Sequence, residues 1–365
     1  MLYNKKFNFS ASQAMIPYTV LKQIKKDLFN WNNKNISIME INHRSNYFVS
    51  IVENTKKYLR ELLNIPLNYK IIFCFGGARV QFSIIPINLI KNKFSSADYV
   101  NSGYWSSSAI DEAKKYCLVN QLDVLYKEDG LIKVYPMSNW LISNNSSYLH
   151  YCPNETANGI YINELPDFHN RIVIADCSSI ILSRVLDISK FGLIYASTQK
   201  NIGLSGLTLL IIRDDLVNIN KNNIVPSTFN YQFLIKYNSM FSTPPTFVWY
   251  VANLILKWLK KKGGLSKIEK INKIKSDILY KVIDNSTIYN NNISSLYRSY
   301  TNIIFKLPNT NLHKLFLKES NKAGFLNLAG HRAIGGIRIS LYNSMTLLGV
   351  KKLAKFMFNF SNKYS

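Results

Sequence analysis

The chain has 365 residues, 47% of them apolar and 13% aromatic, which is enough to fill the core of one large domain and a smaller companion. Its longest apolar stretch, Phe247 to Leu256, is too short to span a bilayer, and the N-terminus MLYNKKFNFS lacks an apolar signal core, so no membrane partner is expected. The formal net charge of +24 would suit a polyanion, but the 45 Lys and Arg are mostly lysines scattered among Asn, Ile and Tyr; codon bias explains that pattern without a nucleic-acid partner.

In chain order, Tyr3 to Met15 reads as an extended lead-in, and Pro17 opens a helix through about Trp31. A second helix is predicted near Tyr47 to Leu63, with Ile51, Thr55, Leu59 and Leu62 at helical spacing. His43 and Arg44 lie in the loop before it, a place where an anion can be held. KIIFCF, Lys70 to Phe75, is a predicted strand, and GGARVQFSIIPINLI a glycine turn running into a helix whose first N–H groups could cradle a phosphate. ADYVNSGYW, Ala97 to Trp105, reads as a strand, and SSSAIDEAKKYC as a helix with three serines as possible caps. Trp105 at that junction is either core or a stacking wall for an aromatic ligand. Thr156 follows a strand in SYLHYCPNET, which puts its hydroxyl at the crevice edge.

Residues 171 to 206 carry the most informative pattern. RIVIAD ends on Asp176, GLIYAST spans Gly192 to Thr198, and Gln199 and Lys200 follow before NIGLSG. Lys200 is the only charged residue between Lys190 and Arg213, which suggests that it is held inside. A buried ammonium must pair, deprotonate or be consumed as a Schiff base. Asp176 and Lys200 together supply what a pyridoxal-phosphate enzyme needs, an acid for the pyridinium nitrogen and an amine for the aldehyde; the alternative is a lysine that merely pairs with an acid.

LTLLIIR, Leu207 to Arg213, closes a strand series from residue 70 that predicts a mainly parallel sheet covered on both faces. The prolines of Tyr237 to Thr246 forbid regular structure, an amphipathic helix follows to about Lys262, and KKGG at Lys261 to Gly264 marks the domain boundary. Beyond it the expected order is helix, strand (Asn302 to Leu307), helix, strand (Ile337 to Tyr342) and closing helix, an α+β cap. Within the cap, GHRAIGGIRISLYN holds His331, Arg332 and Arg338; the His-Arg pairs here and at residues 43–44 suit a phosphate or carboxylate. The four cysteines show no metal-type spacing and read as the reduced, buried thiols of a cytosolic protein.

Taken together, FNFSASQAMIP, SIMEINHRS, HYCPNET, ADCSSIILSR, QKNIGLSGLT, SMFSTPPTF and GHRAIGGIRISLYN, in this order, resemble the phosphoserine aminotransferases, class V members of the fold-type I pyridoxal-phosphate enzymes. The resemblance implies an α/β fold: a large domain (residues 17–262) with a seven-stranded, mainly parallel sheet between helices, and a smaller α+β domain (263–365) against which residues 1–16 pack. It implies a homodimer that moves an amino group from L-glutamate to 3-phosphohydroxypyruvate in serine biosynthesis. It also raises 4-phosphohydroxy-L-threonine of pyridoxine synthesis as a second product. Carried over by position, Lys200 would hold the cofactor aldehyde, Asp176 the ring nitrogen, Trp105 the ring face and Thr156 the phenolic oxygen. Ala78, Arg79 and Gln199 would hold the cofactor phosphate, joined by Ser242 and Thr243 of a second subunit. Substrate would meet Ala11, His43, Arg44, His331, Arg332 and Arg338, the last at the α-carboxylate.

Several positions depart from the family pattern. Ala11-Ser12-Gln13 replaces Ser-Gly-Pro, Phe75 a histidine, Ala78 and Val80 glycines, and Ser242 an asparagine. A glycine needed at positive φ would not tolerate Val80 cheaply, so a weakened or inactive descendant of the family stands as the alternative. A cysteine desulfurase would need a reactive cysteine late in the chain, and none follows Cys177.

Overall fold

In the computed structural model, which describes residues 6–168, 171–217 and 225–365, a seven-stranded sheet organises the larger part of the chain. Tyr3 to Lys5 of the expected lead-in lie outside these residues. The strand order is Tyr69–Phe75, Leu207–Arg213, Leu193–Ser197, Val173–Asp176, Leu149–Tyr151, Ser96–Asn101 and Leu118–Asp123. Leu207–Arg213 pairs antiparallel with both neighbours; every other pairing is parallel, as the sequence predicts for a mainly parallel sheet.

The sheet is apolar on both faces, and residue parity sorts the faces. Ile72, Cys74, Leu193, Tyr195, Leu210 and Ile212 pack into one cluster with the helices Ala78–Leu89 and Tyr104–Ala113. Ile71, Phe73, Ile194, Ala196, Leu209 and Ile211 pack into the other with Asn46–Leu63 and Thr246–Lys261. Successive side chains of a strand point to opposite faces, so these unbroken apolar runs are what a sheet covered on both sides requires.

Some expectations fail locally. The first helix is Tyr18–Asp27 and stops short of Trp31: Asn30 leaves helical backbone at φ −149° and ψ 81°, and Asn32, Asn33 and Asn35 beyond it take positive φ, which asparagine tolerates better than most side chains. The strand expected through Trp105 ends at Asn101, and Trp105 lies in the first turn of the following helix. The connections after Tyr151 and Asp176 carry no α-helix among the described residues, so the strand, loop and helix repeat is incomplete. A hairpin, Leu125–Glu128 with Leu131–Val134, and a short helix, Tyr231–Lys236, complete the inventory. Asp129 and Gly130 both have positive φ at the hairpin tip, which suits the right-handed twist of its strands.

After Gly263, which is left-handed with φ 95°, the helix Gly264–Asp284 leads into a three-stranded antiparallel sheet ordered Asn302–Phe305, Gly335–Ser340, Ala329–His331. The helices Thr310–Lys322 and Leu347–Tyr364 cover it over a separate aromatic core. The N-terminal Phe7–Asn8 adds a parallel pairing to Phe325–Leu326, and Ala14 N–H then donates to Gln199 O at 3.0 Å. Residue 7 thus sits with the last part of the chain, and residue 14 with the loop that carries Lys200. No helix among the described residues is long and apolar enough to cross a membrane.

Lys275, wholly buried, donates to the carbonyls of Tyr342 at 3.1 Å and Met345 at 3.2 Å. Burial pushes its pKa down to about 7. The unfolded chain therefore holds this proton over a window, about pH 7 to 10.4, in which the folded protein has released it, so this group's contribution to stability rises with pH across that window. Lys275→Met removes the term. The melting temperature of the variant minus that of the wild type should be most positive near pH ~7 and shrink by pH ~9.5, as thermal unfolding at the two pH values will show.

Candidate active site

At one end of the large sheet, the chain leaves Phe75, Tyr151, Asp176 and Ser197 within a few residues of one cavity of about 320 Å³. Crossovers of a mostly parallel sheet deliver the strand ends to one edge, which is why ligands bind there. Lys200 follows Leu193–Ser197 in a tight turn closed by Gly203 N–H donating to Thr198 O at 2.6 Å. Its Nζ donates to Thr156 Oγ1 at 2.9 Å, and Asp176 shares the same cavity.

Two opposing shifts meet in this pair. Burial, reinforced by the Arg338 guanidinium and opposed by Asp176, brings the Lys200 ammonium down to about 8. Burial raises the Asp176 carboxyl above its ordinary range, against the N–H of Ser178, which donates to Oδ1 at 3.0 Å, and the charge of Lys200. An amine near neutrality can act as nucleophile or base, and a carboxylate in so dry a place stays charged only opposite a cation.

Trp105 and Arg79 form a wall of the cavity, with the guanidinium 5.4 Å from the ring centre. Two N–H groups at the start of Tyr104–Ala113, one part-buried and one buried, fix that ring: Trp105 N donates to Glu155 Oε2 at 3.0 Å and Ser106 N to Oε1 at 2.8 Å. Of the expected serine caps Ser106 serves, its Oγ accepting from the N-cap Gly103 N–H at 2.9 Å, while the N–H groups of Trp105 and Ser106 go to an acid about fifty residues away in sequence. Gly103 permits the approach, because a Cβ there would lie 2.8 Å from the Glu155 carboxyl carbon. Burial raises the Glu155 carboxyl, and the donated backbone bonds pull it back.

The departures from the family pattern cost little backbone strain. Gly76 is the residue in the left-handed region, with φ 89°, while Ala78 and Val80 are absent from the positive-φ set and sit in the helix Ala78–Leu89. Ala78 N–H donates to Ser197 Oγ at 2.6 Å.

Of the residues singled out from sequence, Ala11, Ala78, Arg79, Trp105, Thr156, Asp176, Gln199, Lys200, His331 and Arg338 line the cavity. Arg332 is exposed and does not reach it; nor do His43, Arg44, Ser242 and Thr243 of the same chain, which lie at or near the surface. His331 packs on Tyr104 with ring centres 4.2 Å apart, and burial together with Arg338, Arg79 and Arg332 holds its pKa down. Sequence reading missed Ser178, Ser179, Ser197, Cys152 and Asn154 in the lining, and Glu155 behind it. Ser197 and Ser178 had a signal, since each stands within two residues of a strand's C-terminal end; Glu155 had none beyond its place beside Thr156.

The donor set fits pyridoxal 5′-phosphate. An amine and a carboxylate share one cavity, Trp105 supplies an aromatic wall, and the N-terminus of Ala78–Leu89 with Arg79 and Ser197 offers an anion cradle. The buried Trp105 Nε1 has no hydrogen-bond partner among the described residues, a donor left for a polar atom of a guest.

Comparison with known proteins agrees with this geometry. The family model "Aminotransferase class-V" matches residues 6–353. A phosphoserine aminotransferase of Wigglesworthia glossinidia brevipalpis is 55% identical over 358 residues, covering 98% of this chain and 99% of that one. The corresponding protein of Buchnera aphidicola is 53% identical with the same coverage. Among solved structures, the phosphoserine aminotransferase of Bacillus circulans subsp. alkalophilus superposes with TM-score 0.93 at 35% identity, covering 99% of both chains. The pyridoxal-phosphate-bound phosphoserine aminotransferase of Trichomonas vaginalis superposes with TM-score 0.91 at 34% identity, covering 97% of this chain and 99% of that one.

Glu155→Ala orphans the two N–H groups of Trp105 and Ser106, at about 1–3 kcal/mol each. The expected result is a fall of that order in unfolding free energy by urea titration, with a change in the near-ultraviolet dichroism contributed by Trp105. An unchanged spectrum and midpoint would remove Glu155 from this role.

Proposed function

This chain belongs to the class-V aminotransferase family, and from that premise we propose that it transfers the amino group of L-glutamate to 3-phosphohydroxypyruvate, giving O-phospho-L-serine and 2-oxoglutarate. The observation that carries the reading is a half-dry lysine amine and a buried carboxylate in one cavity, in a chain that matches phosphoserine aminotransferases over its whole length. Pyridoxal 5′-phosphate, when bound, supplies an aldehyde that takes up the amino group and a protonated ring that accepts the electrons released at the α-carbon.

The residues have separable tasks. Lys200 Nζ would hold the cofactor aldehyde and, when free, would be the base for the α-proton, a task suited to an amine that burial brings down to about 8. Asp176 would face the ring nitrogen and favour its protonated form, and Thr156, whose hydroxyl accepts from Lys200 Nζ at 2.9 Å, would meet the phenolic oxygen. Arg338 projects from Gly335–Ser340 into the cavity and offers a planar fork to the α-carboxylate. The same groups serve both halves of a ping-pong cycle, because glutamate and phosphoserine present the same α-amino acid centre.

His43, Arg44, Ser242 and Thr243 lie off the cavity of their own chain, which supports a homodimer in which a second copy brings them to the cofactor and substrate phosphates. Arg332, exposed beside His331, would serve the substrate phosphate. On this reading residues 17–262 bind the cofactor and residues 263–365 carry Arg338, with the N-terminal segment joined to the latter through Phe7 and Asn8. A cytoplasmic location and a second role in pyridoxine synthesis extend the same reading. The inactive-descendant alternative loses its main support, since Val80 and Ala78 adopt ordinary helical backbone.

Lys200→Ala should abolish turnover in a coupled glutamate and phosphohydroxypyruvate assay; near-normal turnover would refute the assignment. In the cofactor-free wild type, the neutral amine is the reactive form, so the rate of pyridoxal-phosphate capture, followed by visible absorbance, should climb as pH rises through about 8 and then level off. The shape of that profile tests the amine separately from the substrate.

A further inference from the structure

A second and larger cavity, of about 690 Å³, shares Asn154 as a wall with the one that holds Lys200. Its inner surface is formed by Tyr161, Ile180 and Thr301, and the helix Gly264–Asp284 supplies its other side and its mouth, where Lys270, Lys273 and Ile274 are exposed. Size, apolar walls and a small number of polar groups are what small-molecule sites share.

Arg184 is the group that asks for a ligand. Its guanidinium lies over the Tyr161 ring, 5.2 Å from the centre. Its Nε is buried and makes no hydrogen bond, and Glu269 Oε1, at 3.8 Å, is near enough for attraction but too far to accept. No hydrogen bond from the rest of the guanidinium is found among the described residues either. The buried Nε–H is left unmatched beside apolar walls, which is unfavourable, and the two Nη groups, which are not buried, leave the planar fork open to a ligand. The lining also holds Lys270 and Lys273, the latter paired with Asp277 on the next turn, against a single lining acid, Glu269; with Arg184 this leaves a net positive charge that favours an anion. Tyr161 and Tyr300, ring centres 5.8 Å apart, line the same space and suit a flat apolar body.

We propose that this cavity is a second binding site, which takes a small planar carboxylate anchored by Arg184 and lies outside the catalytic cavity. The inference does not depend on the reaction assigned above.

Calorimetric titration of the cofactor-loaded protein with 2-naphthoate tests it, in saturating glutarate so that the carboxylate-binding groups around Arg338 are already occupied. Saturable binding of one 2-naphthoate per chain is expected, with its uncharged analogue 2-naphthalenemethanol about tenfold weaker or worse, the factor that 1.4 kcal/mol represents. Arg184→Met keeps the stem and drops the charge, and should bring the two affinities together. Ile274→Trp alters only the exposed mouth, survives if the first variant does not fold, and should weaken both probes. Absence of saturable binding, equal binding of the two probes by the wild type, or an Ile274→Trp protein that binds as the wild type does would overturn the proposal.

Discussion

The arrangement of the whole chain turns on keeping one lysine amine partly out of water without neutralising it in an ion pair. Lys200 Nζ is given a hydroxyl, Thr156 Oγ1, as its hydrogen-bond partner, while Asp176 shares the cavity as a counter-charge. Desolvation then lowers the amine and the carboxylate limits how far, which leaves a group able to exchange protons near neutrality. A direct ion pair would have held the amine protonated and filled the space between the two groups. That intervening space is where a ring with an aldehyde at one side and a basic nitrogen at another can fit.

Holding the amine there requires more than the sheet. Asn201, the next residue, donates to Ile181 O at 3.0 Å and accepts from Asn343 N–H at 3.0 Å. Asn343 donates in turn to Leu182 O at 2.8 Å, and Leu182 is a buried non-glycine residue at φ 61°. A left-handed leucine is strained, and it persists because asparagines hold the carbonyls on either side of it. Asn272 Nδ2 closes the chain onto Ser183 O and Asn343 Oδ1. The turn after Asp176, the turn that carries Lys200 and the last third of the sequence are thereby fixed by one set of side-chain amides. Arg338 rides on that last third, so its distance from the amine is set by the same bonds.

A second set of bonds serves the aromatic wall. Glu155 and Thr156 are neighbours, one fixing the start of the helix that bears Trp105 and the other holding Lys200, so a single loop positions the ring wall and the reactive amine together. Burying Glu155 without a basic partner is tolerable because the N-terminus of a helix is itself a partial positive charge with unpaired donors.

Local pattern carried much of this. Apolar runs of strand length gave the strands of the large sheet except the polar edge strand Leu118–Asp123, amphipathic spacing gave the long helices, and a lone lysine beyond an acid-tipped strand gave the centre of the site, because all three depend on residues close in sequence. The motif order pointed to the family and hence to Trp105, Thr156 and Arg338. Local pattern failed where the cause was distant. The first helix ended early because Asn30 turns the backbone out of the helix before Trp31. Beside the Ser106 cap, the second acceptor at the start of the Trp105 helix went unseen because it is Glu155, and the cost of Val80 was misjudged because the residue with positive φ is Gly76. The reversed direction of Leu207–Arg213, the amide bonds around Leu182 and the cavity beside Arg184 exist only once separate segments have packed. Sequence alone determined which residues must be buried and which chemistry they could perform; the tertiary structure decided which of them meet, since hydrogen bonds and burial act through distances that the order of residues along a chain does not fix.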